Sequence, residues 1–507
     1  MISRYISKGM TIIICYYLMF CLILNYIPEI LLMYWIIALI IYLLLAIGMV
    51  ISLLVNGIKP AKTLAWLLTI FTIPVAGILL YWMIGRNRRK YSWKDFQEDK
   101  AIKDYLIKIR KRQGSEKSLI EDLGVFNKLN LLIEKTSGLR PTNNNEVVLL
   151  KDGKATFDAI FNALETANKY IFLLYYIFEE GELADRLFAL FRKKIANGVK
   201  IKVIYDSVGS YSLSKKYIKE LKAIGVEVYP FLPFKLGRFL ASVNYRNHRK
   251  IIIIDGEVAF TGGINISDKY LKGDLVLGKW HDMHLQLKGA SVLDLQVVFA
   301  MDWFLVSGDR SELEVELPQL SKHVGDKIVQ IVYGGPDDYF SPIGQTYFAL
   351  INNAKKYIYI TNPYVIPGTA ILRALEVAAN SGVDVRLLVS AKADSVLVKW
   401  SVRSYFESLL KAGVKIYQFP DGFLHSKIIV SDDEIVSIGT ANMDIRSFEQ
   451  NYEVNAMVYN REIALLLKHE FLNEIEQSIT VAYETFKNRP YLDKLKEGFA
   501  KVFSPLL

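Results

Sequence analysis

At 507 residues the chain is too long for one domain, and ordinary domain sizes divide it into about three or four units. It is 52% hydrophobic with a mean hydropathy of +0.22, and a formal charge of +10 (pI near 9.1) suits an anionic partner, either nucleic acid or a membrane surface. The only cysteines, Cys15 and Cys21, lie in the first apolar stretch, which excludes intrachain disulfides and Cys-ligated zinc from everything after it.

Three uncharged stretches open the chain: Gly9–Pro28 with 20 residues, Ile30–Ile58 with 29 and Thr63–Gly85 with 23. Each reaches the roughly 20 residues needed to cross a hydrocarbon core, and the last two are too long for the core of a signal peptide. The first, interrupted by Asn25 and Pro28, reads as a span, an interfacial helix or a re-entrant piece. Residues 1–94 are therefore expected to form a transmembrane region of two or three helices in the cell membrane. Arg86, Arg88, Arg89, Lys90 and Lys94 follow the last stretch, against Arg4, Lys8, Lys59 and Lys62 elsewhere; five against four places the remainder in the cytoplasm. A charged, helix-like linker over 95–140 follows, with Lys108, Arg110, Lys111 and Arg112 on a solvated face or on anionic headgroups.

From there the chain is written twice. Ala167-Asn-Lys-Tyr-Ile-Phe matches Ala354-Lys-Lys-Tyr-Ile-Tyr, Asn197-Gly-Val-Lys-Ile matches Ser381-Gly-Val-Asp-Val, and Leu221-Lys-Ala matches Leu410-Lys-Ala. Each copy alternates helix and apolar strand, which predicts α/β sheets covered by helices and two pseudo-symmetric α/β/α domains, 141–320 and 321–507. Just before the first motif, 231–240 interleaves Phe and Leu with Lys235 and Arg238, as a packed loop or an interfacial lip.

The sharpest repeat is H-x-K-x4-D, met as His248, Lys250, Asp255 and again as His425, Lys427, Asp432. Each is followed by a small-residue turn and an asparagine, Asn265 and Asn442. Residues two apart on a strand share a face, so each histidine can attack phosphorus while its lysine holds a phosphate oxygen. The turn amides and the asparagines are expected to stabilise phosphoryl charge. Asp255 and Asp432 join the catalytic set, although an Asp at a hairpin turn equally braces the lysine or the turn. A working histidine needs a carboxylate on its other ring nitrogen. The nearest ones within each half are Asp282 for His248 and Glu453 for His425. No metal is expected: His281, Asp282 and His284 stand close in sequence, but His281 points away from the other two on a strand. His323 and His469 carry no local pattern.

Over Asn143–Leu507 these motifs resemble the phospholipase D superfamily, whose members carry two H-x-K-x4-D motifs. The chain is similar in particular to bacterial cardiolipin synthases in Gly85-Arg-Asn, Tyr175-Tyr176, Thr361-Asn-Pro-Tyr364, Arg403-Ser-Tyr-Phe406, Asp444-Ile-Arg-Ser-Phe448 and Ser504-Pro-Leu-Leu507. The departure is the apolar segment before Ile30. The resemblance implies transfer of a phosphatidyl group from one phosphatidylglycerol to another through a phosphatidyl-histidine, giving cardiolipin and glycerol. His248 is then the nucleophile and His425 the acid/base, with pseudo-symmetry leaving the reverse open. Exchanging one phosphodiester for another needs no cofactor, and the chain has neither G-x4-G-K-[ST] nor D-G-x2-A-R. Hydrolysis by a phospholipase D, another phosphatidyl transfer, a membrane-tethered nuclease and an inactive scaffold are the rivals. Apolar spans beside the site favour lipid over nucleic acid, and two complete motifs disfavour a scaffold. The oligomeric state is not encoded legibly.

Overall fold

The computed structural model describes residues 29–55, 60–73, 75–81, 99–113, 124–233, 245–314 and 324–506. The first apolar stretch, the cysteines, the basic cluster 86–94, most of the 231–240 stretch, His323 and the expected boundary near Leu320 lie outside them. The chain divides between Asn87 and Arg88 into two compact units.

In the first unit, one long helix covers Glu29–Val55, and its Leu31–Val55 portion is 25 residues long with a mean hydropathy of 3.0. At 1.5 Å per residue it is long enough to cross a bilayer core of about 30 Å. Among the described residues it is the one helix of that length and composition. The expected third span is not a single helix. Helix Pro60–Thr72 stops, Val75 takes φ 63°, and a short helix resumes over Ala76–Leu80. The sequence carries Pro74 at the break, where a proline removes a helical donor. The two segments fold back on the long helix: Tyr42 donates its hydroxyl to the Ile70 carbonyl at 2.7 Å, and Ala46, Leu53, Ile70 and Tyr81 are buried together.

The second unit is built on one mixed sheet. Its first half supplies β1 (Thr142–Leu150), β2 (Tyr170–Tyr175), β3 (Lys200–Asp206), β4 (Glu227–Phe231), β5 (Lys250–Ile254), β6 (Val258–Gly262) and β7 (His284–Lys288). The second half supplies the equivalents β8 (Lys327–Gly334), β9 (Tyr357–Thr361), β10 (Asp384–Ser390), β11 (Lys415–Phe419), β12 (Ile428–Ser431), β13 (Ile435–Gly439) and β14 (Asn451–Tyr459). The order across the sheet is β11-β10-β9-β12-β13-β14-β8-β1-β7-β6-β5-β2-β3-β4. A further short strand, Ile479–Thr480, pairs with β11 at that edge; leaving it aside, the order reads the same from either edge once seven is subtracted from the second half's labels. The pseudo-dyad therefore falls between β1 and β8, which pair antiparallel and join the halves edge to edge.

Both faces are covered, which is why the inner strands are apolar runs rather than alternating ones. In β5, Ile251 and Ile253 face a core shared by the two halves, while Ile252 and Ile254 face the first half's own core. In β12, Ile428 and Val430 face the shared core and Ile429 the second half's. The helix Ser291–Ser307 fills the shared side. The stretch read as a charged linker contributes there too: within helix Lys100–Gln113, Ile102, Tyr105 and Ile109 are buried in that core, leaving Lys108 and Lys111 exposed.

Candidate active site

Register alone brings the two motifs together. The residues before each motif histidine leave their own half and pair, parallel, with the strand that precedes the other half's acid. Arg246–Asn247 pairs with Asn451–Tyr452, and the His248 amide donates to the Tyr452 carbonyl at 2.9 Å. In the mirror arrangement Phe423–Leu424 pairs with Trp280–His281, and the His425 amide donates to the His281 carbonyl at 2.7 Å. The next residue along each partner strand is a carboxylate, so each histidine meets the acid of the opposite half. His248 Nδ1 lies 3.0 Å from Glu453 Oε2, and His425 Nδ1 lies 2.7 Å from Asp282 Oδ2. The within-half pairing expected from sequence distance is thus corrected: the acids cross the pseudo-dyad. With Nδ1 engaged by a carboxylate, Nε2 is the nitrogen each ring can offer to a substrate.

Lys250 and Lys427 are fully buried on the histidine side of their strands. Each ammonium donates to the carbonyl of its own motif histidine, Lys250 to His248 at 2.7 Å and Lys427 to His425. Burial lowers their pKa values to about 7 and about 8, against the pull of Glu453 and Asp282. Burial, then the neighbouring lysines, also depresses the histidines: His425 to about 4, and His248 well below its ordinary value. Burial pushes Glu453 up to about 7. With both carboxylates engaged by the Nδ1 atoms, the two ammoniums and the free Nε2 atoms are left to meet an anion such as a phosphodiester.

A pH consequence follows from those directions. An oxyanion bound between the lysines stabilises every cationic form around it, so the groups that burial holds below their ordinary pKa values, the histidines and Lys250 foremost, gain protons at pH 7. Sulfate, which does not itself titrate there, should bind with uptake of on the order of one proton, read by calorimetry in two buffers of different ionisation enthalpy. Binding accompanied by proton release would show that the anion sits elsewhere.

Asp255 and Asp432, placed in the catalytic set by the motif, lie at the far ends of β5 and β12. From Lys250 to Asp255 the strand runs about 16 Å at 3.3 Å per residue. Asp255 accepts the amides of Asn168, Lys169 and Tyr170 at 2.7–2.8 Å, and Asp432 those of Lys355, Lys356 and Tyr357 at 2.7–2.9 Å. Both hold positive φ, 54° and 56°, a conformation Asp tolerates at a turn. They anchor the starts of β2 and β9, so the bracing role is the one the geometry supports. Asp255→Asn should cost about 1–3 kcal/mol of folding stability, seen as a lower Tm, while activity at low temperature stays within about tenfold. Collapse of activity with the fold intact would return Asp255 to the chemistry.

The asparagines differ. Asn265 accepts the Ile177 amide at 3.1 Å and donates to the Tyr270 hydroxyl at 3.3 Å, whereas the buried Asn442 Oδ1 has no partner among the described residues. Several contributors went unnoticed in the sequence. Thr440 donates its hydroxyl to Glu453 Oε2, and Asn451 donates to Oε1 at 3.2 Å. The Tyr270 hydroxyl lies 3.2 Å from His425 Nδ1, and the Tyr176 ring stands edge-on to His248 with centroids 4.7 Å apart. Arg249, between His248 and Lys250, points to the other face. There it bonds the Glu453 and Gly334 carbonyls at 3.2 and 3.1 Å and Asp302 at 2.7 Å, tying the halves together. Comparing equivalent positions of the repeat, Gly263 against Thr440, is the signal that could have found Thr440.

Among the described residues no three His, Cys, Asp or Glu side chains gather as metal ligands. Asp282 is committed to His425 and to the Met283 amide, His281 packs edge-on to Phe419, and His284 is buried against Gly262.

A family model described as "Cardiolipin synthase, PLD-like domain" matches residues 160–303 and 347–475, and one described as "Phospholipase_D-nuclease N-terminal" matches 35–86. The chain is 42% identical over 469 residues to a cardiolipin synthase of Geobacillus kaustophilus, covering 91% of each chain. It is 35% identical over 470 residues to cardiolipin synthase 1 of Bacillus anthracis, covering 91% of this chain and 92% of that one. Among solved structures, the phosphatidylserine synthase of Haemophilus influenzae superposes with a TM-score of 0.57 at 16% identity, covering 75% of this chain and all of that one, a likeness of fold.

Proposed function

The chain belongs to the cardiolipin synthase family of phospholipase D-like proteins, and from that premise we propose that it joins two phosphatidylglycerol molecules into cardiolipin and glycerol. The observation that carries the reading is the crossed pair of histidine–carboxylate couples around two buried lysines. His248 Nε2 attacks the phosphorus of the first lipid. The P–N bond forms as the P–O bond to glycerol breaks, and His425 gives its proton to the departing oxygen. A second phosphatidylglycerol then presents its terminal hydroxyl. His425 takes back a proton, the new P–O bond forms, and His248 leaves. The lysine ammoniums hold the non-bridging oxygens, with the Asn442 amide as a further donor.

Membrane association follows from the family and the apolar helix Leu31–Val55. Beyond that, our reading has the chain cross the bilayer at this helix and again at the apolar stretch 63–85, supported by their lack of charge. The basic cluster Arg86–Lys94 favours catalytic halves 141–320 and 321–507 on the cytoplasmic side. No nucleic acid is needed.

Product analysis tests the function. Purified full-length protein given phosphatidylglycerol in excess EDTA should yield cardiolipin and glycerol in equal amounts, resolved by mass spectrometry. Phosphatidic acid as the main product would make the enzyme a hydrolase, and activity only with an added divalent ion would reopen the metal question.

A further inference from the structure

The C-terminal helix, Tyr491–Val502, is amphipathic the wrong way round. A surface helix of a globular unit normally turns its apolar stripe inward. Here the inward face is Glu497 and Ala500, 2% and 1% exposed. Glu497 is held by Arg489, at 2.6 and 2.7 Å, and by Arg403 at 3.3 Å. The apolar stripe points out: Tyr491, Leu492, Leu495, Phe499 and Val502 are 78, 65, 58, 64 and 74% exposed. At 100° per residue these positions fall within an arc of about 100°, so they form one stripe rather than scattered residues. Lysines border it on both sides, Lys494 and Lys501 along one edge and Lys496 along the other, all exposed.

The neighbouring helix Val396–Lys411 extends the patch. Val396 is 75% exposed, and the Trp400 ring is surrounded by Lys399, Arg403 and Lys496, with the cations 4.7–5.9 Å from its centroid. A convex apolar ridge, an amphipathic tryptophan and a cationic border match the headgroup zone of an anionic bilayer, where apolar side chains sink below the phosphates and lysines pair with them. The helix Tyr491–Val502 lies beyond residue 475, where the family model's match ends, while Val396 and Trp400 lie within it.

We propose that Tyr491–Val502, with Trp400 beside it, rests on an anionic lipid surface as a membrane contact separate from the N-terminal helix. Its orientation is fixed from inside by the Glu497–Arg489–Arg403 ion pairs, so the unit presents the stripe already formed.

The test uses the full chain with Cys15 and Cys21 changed to Ser and one new cysteine carrying an environment-sensitive fluorophore. Leu495→Cys and Phe499→Cys probe the stripe, and Lys216→Cys, on a distant exposed helix, is the control. The proteins are reconstituted in phosphatidylcholine vesicles with or without phosphatidylserine, an anionic lipid chosen because it is not the proposed substrate. Brominated acyl chains should quench the 495 and 499 labels at least about twofold more strongly when phosphatidylserine is present, and leave the 216 label unaffected. Lys494→Glu, Lys496→Glu and Lys501→Glu together should abolish that difference while the melting temperature holds. Equal quenching in both vesicle types, or none above the control, overturns the proposal. So does shielding from aqueous iodide that grows with protein density without lipid quenching, the signature of a second copy on the ridge. Because the readout is lipid contact rather than turnover, its failure is distinct from failure of the proposed synthesis.

Discussion

Replacing either His248 or His425 with alanine should lower cardiolipin formation by roughly 10³-fold or more, and the double variant should be no worse than the more damaged single one. The magnitude follows from the division of labour, in which one imidazole becomes covalently bound and the other moves every proton. Neither can cover for the other, because each is fixed through Nδ1 to its own carboxylate. The fold should survive. The strand pairings that carry the two histidines are backbone bonds, including His248 N to Tyr452 O and His425 N to His281 O. After His248→Ala, Glu453 keeps Thr440 and Asn451 as donors. Rates by product mass spectrometry and melting temperatures on the same samples check this. A variant with near-normal turnover and an unchanged Tm would remove that histidine from the mechanism.

What the sequence made legible was whatever is local or duplicated. The repeat exposed the sheet architecture of each half, and doubling turned an ordinary His-x-Lys into a credible site. The acid partners were recognisable as residues but not as pairs. Whether Glu453 reaches His248 or His425 depends on Asn451–Tyr452 lying beside Arg246–Asn247, a register between segments 205 residues apart. No periodicity reports such a register, and closeness in sequence pointed to the wrong partner. The motif aspartates were left open between chemistry and bracing for another reason. A carboxylate closing a strand looks like chemistry until its three backbone donors are seen. The apolar positions Ile102, Tyr105 and Ile109 did carry a helical period, hidden beneath the charges that made 95–140 read as a linker.

The crossed pairing sharpens the question of which histidine carries the phosphatidyl group. The two carboxylates are not equally loaded. Glu453 Oε2 takes both the Thr440 hydroxyl and His248 Nδ1, with Asn451 on Oε1. At the position of Thr440 the first half has Gly263, so among the described residues Asp282 receives His425 and the Met283 amide. A carboxylate sharing its charge among more donors pulls less on its imidazole, leaving His248 the less basic ring. Burial depresses both rings, His425 to about 4 and His248 well below its ordinary value. A less basic imidazole is the better leaving group from phosphorus in the second step, and the more basic one is the better proton carrier. His248 should therefore bear the phosphatidyl group in rapidly quenched enzyme, mapped by mass spectrometry of the digested chain. Asp282→Asn should lengthen the life of this adduct, because activation of the incoming hydroxyl falls to His425. Glu453→Gln should diminish its formation, because His248 loses its orienting acid. A label on the peptide containing His425 would reverse the two roles, and exchanged effects of the two acid variants would restore the within-half pairing.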